Sequence, residues 1–92
     1  MENRLFQLIA KKYTYDVLKA LEKYPKRFKD LVEACEGEKM RTQRLKELEN
    51  SGLIAVDIKR IGRRPVSLYK LSKRGKSILE IVKKMRESLE NV

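Results

Sequence analysis

Between residues 38 and 51 the chain reads EKMRTQRLKELENS, and its polar side chains are of the types that read nucleobase edges. On a helix, Leu45 and Leu48 point one way, with positions 41 and 52 on the same side by spacing. Lys39, Thr42, Gln43 and Lys46 then fall on the outer faces, and Arg44 lies at the edge. Lys donates to guanine O6 and N7, Gln pairs with both hydrogen-bonding atoms of adenine, and Thr reaches a phosphate or a thymine methyl. Arg44 can serve either a phosphate or a base. A solvated helix face with helix-favouring side chains has the same composition, so position in the fold must decide between the two.

A second cluster lies at RIGRRP, residues 60–65. Lys59, Arg60, Arg63 and Arg64 surround Gly62 and Pro65, and residues 58–65 contain no acid. Like charges at a tight tip repel one another unless anions gather there. Arg at such a tip fits a minor groove, where the potential is most negative in narrow A·T tracts. Basic tips also protect strand edges from aggregation. Lys26 and Arg27 are placed to hold phosphates, contacts that position a duplex without reading it.

Charge and composition agree with an anionic partner. The 92 residues carry 23 Lys and Arg against 13 Asp and Glu, a net +10, and the pI is near 9.9. That bias fits nucleic acid first and a membrane surface second. Histidine is absent, which removes the commonest general base and metal ligand together with every Ser-His or Cys-His dyad. The single cysteine, Cys35, supports neither an intramolecular disulfide nor a thiolate cage, and on an apolar stripe it reads as a small core residue. Carboxylates are scattered as helix partners of cations, for example Glu47 with Arg44 and Glu80 with Lys84, and no glycine belongs to a phosphate loop. Catalysis, metal binding and a cofactor are therefore not expected. With no signal-peptide pattern and no apolar run near the roughly 18 residues a bilayer span needs, the expected location is cytoplasmic and nucleoid-associated.

The elements that must position these groups read as a single domain, 1–92. Phe6, Ile9, Tyr13, Val17, Leu21 and Tyr24 form a helical stripe, in one helix or in two joined near a Thr14 cap, and Pro25 stops it. Phe28, Leu31, Val32 and Cys35 mark a short second amphipathic helix. The third helix covers about 38–51, with Gly52 in the left-handed conformation after it. The period then changes to two: Ile54, Val56 and Ile58 alternate with polar neighbours, Arg60–Pro65 turns, and VSLYKL returns. This makes a hairpin of about 53–71. Ser72 caps a final helix of about 72–90, in which Ile78, Val82, Met85, Leu89 and Val92 follow at steps of 4, 3, 4 and 3, the seam of a helix packed along another helix. Leu79 and Ile81 widen the stripe toward the domain itself. The order predicts an α+β, mainly α, winged helix-turn-helix: a three-helix core, a two-stranded wing and a long C-terminal dimerisation helix at Ile78, Val82, Met85 and Leu89.

The pieces PKRF at 25–28, KMRTQRLKELE at 39–49 and YKLSKRG at 69–75 resemble the HxlR-type winged-helix transcriptional regulators, relatives of the MarR and ArsR groups. The resemblance runs from about Lys12 to the C-terminus. It implies a homodimer on double-stranded DNA, with Lys39, Thr42, Gln43, Arg44 and Lys46 in the major groove and Arg63 and Arg64 on the wing. Position 41, apolar and inward-packing in that family, is Arg41 here, so either the helix is rotated or Arg41 snorkels its head outward. The wing loop RIGRRPVS also departs from the family's usual sequence. A non-specific architectural or protein-interaction module is the alternative, since winged helices serve both uses. An RNA-binding reading lacks clustered surface aromatics.

Overall fold

Leucines from every helix, and from both ends of the hairpin, converge on one small core. The computed structural model describes residues 2–90, with side chains from Arg4 onward. The order is α1 (Glu2–Ala10), α2 (Thr14–Ala20), a 3₁₀ turn (Phe28–Leu31), α3 (Glu38–Asn50), β1 (Ile54–Ile61), β2 (Arg64–Leu71) and α4 (Lys73–Glu90). Leu8, Val17, Leu18, Leu31, Cys35, Leu45, Leu48, Leu53, Leu71 and Leu79 are buried together. This is a winged helix with a two-stranded antiparallel wing and a long C-terminal helix.

The N-terminal stripe is two helices. Tyr13 takes a left-handed conformation (φ 76°) between them and forms no side-chain cap. Thr14 is not a cap either: its buried hydroxyl donates to the Leu8 carbonyl at 2.7 Å and ties the end of α1 to the start of α2. The face of α1 that meets the core is Leu5 and Leu8, while Phe6 is 68% exposed. Helix α2 ends at Ala20, well before Pro25, and leaves Tyr24 exposed. The reason is tertiary. Lys26 is drawn into a bridge with Tyr69, its N–H donating to the Tyr69 carbonyl at 2.9 Å and its carbonyl accepting at 2.7 Å, so the chain must already be extended there.

The expected second helix is a single 3₁₀ turn followed by further turn residues, with Leu31 and Cys35 inward and Val32 exposed. The wing strands run further than expected. They pair from Ile54↔Leu71 to Ile61↔Arg64, leaving a turn of only Gly62 and Arg63. Gly62 has φ 67° and Arg63 does not have a positive φ, the arrangement of a tight II′ hairpin turn. Beyond Val56 the wing leaves the body. Ile58, expected on the half-buried face, is 72% exposed, and Ile61 at the tip is 62% exposed.

Helix α4 begins as expected. Ser72 accepts from the Gly75 N–H at 3.0 Å through its hydroxyl, which itself donates to the Gly52 carbonyl at 2.6 Å. Gly52 has the expected positive φ, 79°. Leu79 packs into the core, but Ile81 is exposed and does not widen the buried stripe. The helix lies against α2 with its Arg86 guanidinium stacked 4.0 Å over the Tyr15 ring, and Lys83 pairs with Glu22 just past the end of α2. Lys83 also takes Glu80, at 3.6 Å, where a Glu80–Lys84 pair was expected.

Candidate nucleic-acid interface

Helix α3 is held by four inward residues, and two of them are arginines. Arg41, Arg44, Leu45 and Leu48 lie at i, i+3, i+4 and i+7, and all four are buried. The helix is therefore not rotated to expel Arg41. The Arg41 side chain is 6% exposed, its guanidinium stacked 4.4 Å over the Phe28 ring and donating to the Glu36 carbonyl at 3.2 Å. Its Nε is buried with no partner among the described residues.

Arg44 corrects the expectation that it reaches DNA from the helix edge. It is 5% exposed. Its Nε donates to the Lys12 carbonyl at 3.1 Å, one terminal nitrogen pairs with Glu47, and the other lies 3.4 Å from Met40 Sδ. Glu47 also accepts from Lys11 Nζ at 2.7 Å. The Lys11 ammonium beside it is the main reason its carboxyl is held below the usual range. Lys11, Lys12, Arg44 and Glu47 thus lock α3 to the turn between α1 and α2. Only the Arg44–Glu47 half of this lock was visible in the sequence, as an i,i+3 pair. Lys11 lies 36 residues from Glu47, so no local pattern reports it.

With Arg44 withdrawn, the outer face of α3 is Lys39, Thr42, Gln43 and Lys46, all exposed. The Thr42 hydroxyl donates to the Glu38 carbonyl at 2.9 Å. The bond uses its proton within the helix and leaves the methyl and the oxygen's lone pairs for a partner. Neither Lys39 nor Lys46 has an acidic partner among the described residues. The same holds for Lys59, Arg60, Arg63 and Arg64, all exposed on the wing. Among the described residues the one wing pair joins Lys70 to Asp57 at 2.8 Å, away from the tip, and this ammonium holds the Asp57 carboxyl below its ordinary value.

The two residues before the 3₁₀ turn are more committed. Lys26 rests its ammonium 4.1 Å over the Tyr24 ring, and Arg27 pairs with Asp30 at 2.9 Å, which lowers the Asp30 carboxyl. On α4, Ile78 and Val82 are half-buried, whereas Met85 and Leu89 are exposed and extend an apolar stripe past the domain. Val92, the last member of the expected seam, lies outside the described residues. No helix is long and apolar enough to cross a membrane, and no cluster of acids and thiols fits a metal ion, among the described residues.

Comparison with known proteins places this geometry. The YodB regulator of B. subtilis in its diamide-treated form superposes with a TM-score of 0.83 at 25% identity, covering 95% of this chain and 87% of that one. The redox regulator HypR in its reduced form gives 0.81 at 25% identity, over 95% and 87% of the two chains. A structure assigned to the MarR family of transcriptional regulators, from Porphyromonas gingivalis W83, gives 0.78 at 27% identity, over 98% and 90%. No curated protein sequence matches the chain significantly. YodB is described as a transcriptional regulator and HypR as a redox regulator. The HxlR-like helix-turn-helix family model matches residues 8–92, so the chain belongs to the HxlR-like helix-turn-helix family of DNA-binding transcriptional regulators.

Proposed function

We propose that the protein is a homodimeric regulator that reads a specific sequence in double-stranded DNA. The observation that carries this is the outer face of α3, where Gln43 and Thr42 stand exposed between the unpaired cations Lys39 and Lys46. Lysines alone suffice to coat phosphates, whereas Gln43 adds a donor and an acceptor matched to adenine and Thr42 a methyl matched to thymine in the major groove. Arg60, Arg63, Arg64 and Lys59 on the projecting wing then follow the backbone into the minor groove, and Lys26 and Arg27 hold phosphates. The exposed Met85 and Leu89, continuing from Ile78 and Val82, form the seam against a second copy. Such a dimer occupies a pseudo-palindrome with half-sites roughly 34–36 Å apart, at a cytoplasmic, nucleoid-associated location.

HypR is described as a redox regulator. The single cysteine of this chain does not support that property. Cys35 has no exposed surface, and burial pushes its thiol pKa up, so little reactive thiolate forms.

The test is fluorescence anisotropy of a duplex from upstream of the protein's own gene against a scrambled duplex, across a salt series. A gap of about 10³ that persists as salt rises supports specific reading. Replacing Arg63 and Arg64 by Ala removes up to four phosphate contacts per dimer and should lower the salt slope by about 3–4. Leu89→Glu should yield monomers in sedimentation and weaken the full site. Equal affinities for both duplexes sink the proposal. They would favour an architectural protein, a reading that the four unpaired wing cations also suit.

A further inference from the structure

Two isoleucines on the projecting wing have no part in the core. Ile58 and Ile61 are both exposed, and neither packs against the buried cluster. A branched aliphatic side chain held in water near the end of an open hairpin is an aggregation liability unless a partner covers it. Ile61 is the last paired residue before the turn, opposite Arg64, and Lys59 and Val66 share its face. Gly62 follows with no side chain, and a Cβ built on it would meet nothing within 4 Å. Ile61 is therefore the foremost apolar group of the wing. It stands among Lys59, Arg60, Arg63 and Arg64, which have no acidic partner among the described residues. Those charges select a polyanion, and Ile61 selects one that can also bury an apolar group. A stacked duplex and an anionic bilayer both meet these demands, and membership of a DNA-binding family favours the duplex.

We propose that Ile61 is a wedge that enters the minor groove, partly unstacks one flexible pyrimidine–purine step and bends the DNA at each wing. The proposal rests on the DNA-binding reading above and adds to it a deformation of the duplex. Geometry selects Ile61 over Ile58. Side chains alternate between the two faces of a strand, so isoleucines three positions apart cannot both face the base edges. Ile58 also lies about 10 Å farther from the tip, at roughly 3.3 Å per residue, which exceeds the minor groove's depth of about 7.5 Å. An apolar wedge at a base step kinks a duplex by about 20–90° toward the major groove. The cost falls on stacking and is lowest at TA and CA/TG steps, so these are favoured without any hydrogen bond to a base edge. Arginines alone favour the opposite, the narrow groove of a stiff A-tract. The sequence chosen under the wing thus reports whether Ile61 enters the stack.

Duplexes bound by the wild type are recovered from a random pool at low salt and treated with permanganate, which oxidises unstacked thymines. Thymines of a pyrimidine–purine step under each wing should react at least about threefold faster than in free DNA, and circular-permutation gel migration should show a bend of about 20–90° per wing. Ile61→Ala should return both readouts toward free DNA. It should also shift the preference under the wing from TA or CA/TG steps to A-tracts by at least about fivefold, the low end for a single base pair. Ile61→Leu should retain bend and reactivity. Ile58→Ala removes an equal side chain from the same strand and should change neither. Both positions are exposed, so the variants should unfold at the wild-type temperature. Bound duplexes with no bend and no reactive thymine, or equal effects of Ile61→Ala and Ile58→Ala, would overturn the wedge and leave DNA reading standing. Ile61→Ala that weakens binding to phosphatidylglycerol vesicles and leaves the DNA bend intact would overturn it in favour of a membrane surface. Recovery of no duplex would overturn the DNA-binding reading together with the wedge.

Discussion

Gly75 sits in the first turn of α4 where the helix crosses the start of the wing, and replacing it with alanine should unseat that helix. A Cβ built there lies 1.9 Å from the Leu53 carbonyl oxygen, 3.0 Å from its carbon and 3.3 Å from Leu71 Cδ2. Neither backbone nor helix can yield cheaply. Leu53 is fully buried, and its carbonyl accepts the Ser72 N–H at 3.0 Å. Relief requires a separation of about 1 Å or more. That separation adds an overpacking cost of about 1–3 kcal/mol and the loss of one or two hydrogen bonds at the Ser72 junction, about 1 kcal/mol each. The better helix propensity of alanine returns up to about 1 kcal/mol. The balance is a destabilisation of about 2–4 kcal/mol, against a total of roughly 5–14 kcal/mol for a domain of this size. In thermal unfolding followed by circular dichroism, Gly75→Ala should lower Tm by roughly 10–30 °C. Gly37→Ala is the matched control, since its Cβ would meet only Met40 Cβ at 3.8 Å. A Gly75→Ala protein as stable as the wild type would show that α4 does not rest on Leu53 in this way, and the reasoning would fail.

Three further outcomes follow from the same contacts. Arg44→Met strands the Lys12 carbonyl, leaves Glu47 with Lys11 alone, and should cost about 1–3 kcal/mol in urea unfolding while leaving sequence preference intact; full stability with lost preference would return Arg44 to the groove. Cys35 should react with a disulfide reagent on the order of 10² times more slowly in the native protein than in urea, because its buried thiol has a raised pKa; near-equal rates would contradict its burial. The folded-state pKa of Glu47 lies below its ordinary 4.5, chiefly because of the Lys11 hydrogen bond. Its contribution is therefore fully present above about pH 4.5 and lost as pH falls through the lower folded value. Glu47→Gln should narrow the difference from wild type below pH 4.5 when urea midpoints are compared from pH 3 to 7, and a constant difference would remove Glu47 from the acid response.

The wing, the α4 cap at Ser72, the left-handed Gly52 and the polar outer face of α3 were legible in the residues because each is a local property. Alternation, capping and turn chemistry act over a few positions. The placement of Arg44 was also encoded, since it lies on the Arg41–Leu45–Leu48 stripe, but residue type pointed outward and spacing pointed inward. Spacing prevailed because the Lys12 carbonyl and Glu47 satisfy the guanidinium in place. What the tertiary structure alone decided are the contacts between distant segments. The Lys26–Tyr69 bridge keeps the chain before the 3₁₀ turn extended, Leu53 demands a glycine at position 75, and Lys11 closes on Glu47 to fix α3. Such contacts are set by where the shared leucine core brings the elements together, and no window of sequence contains both partners.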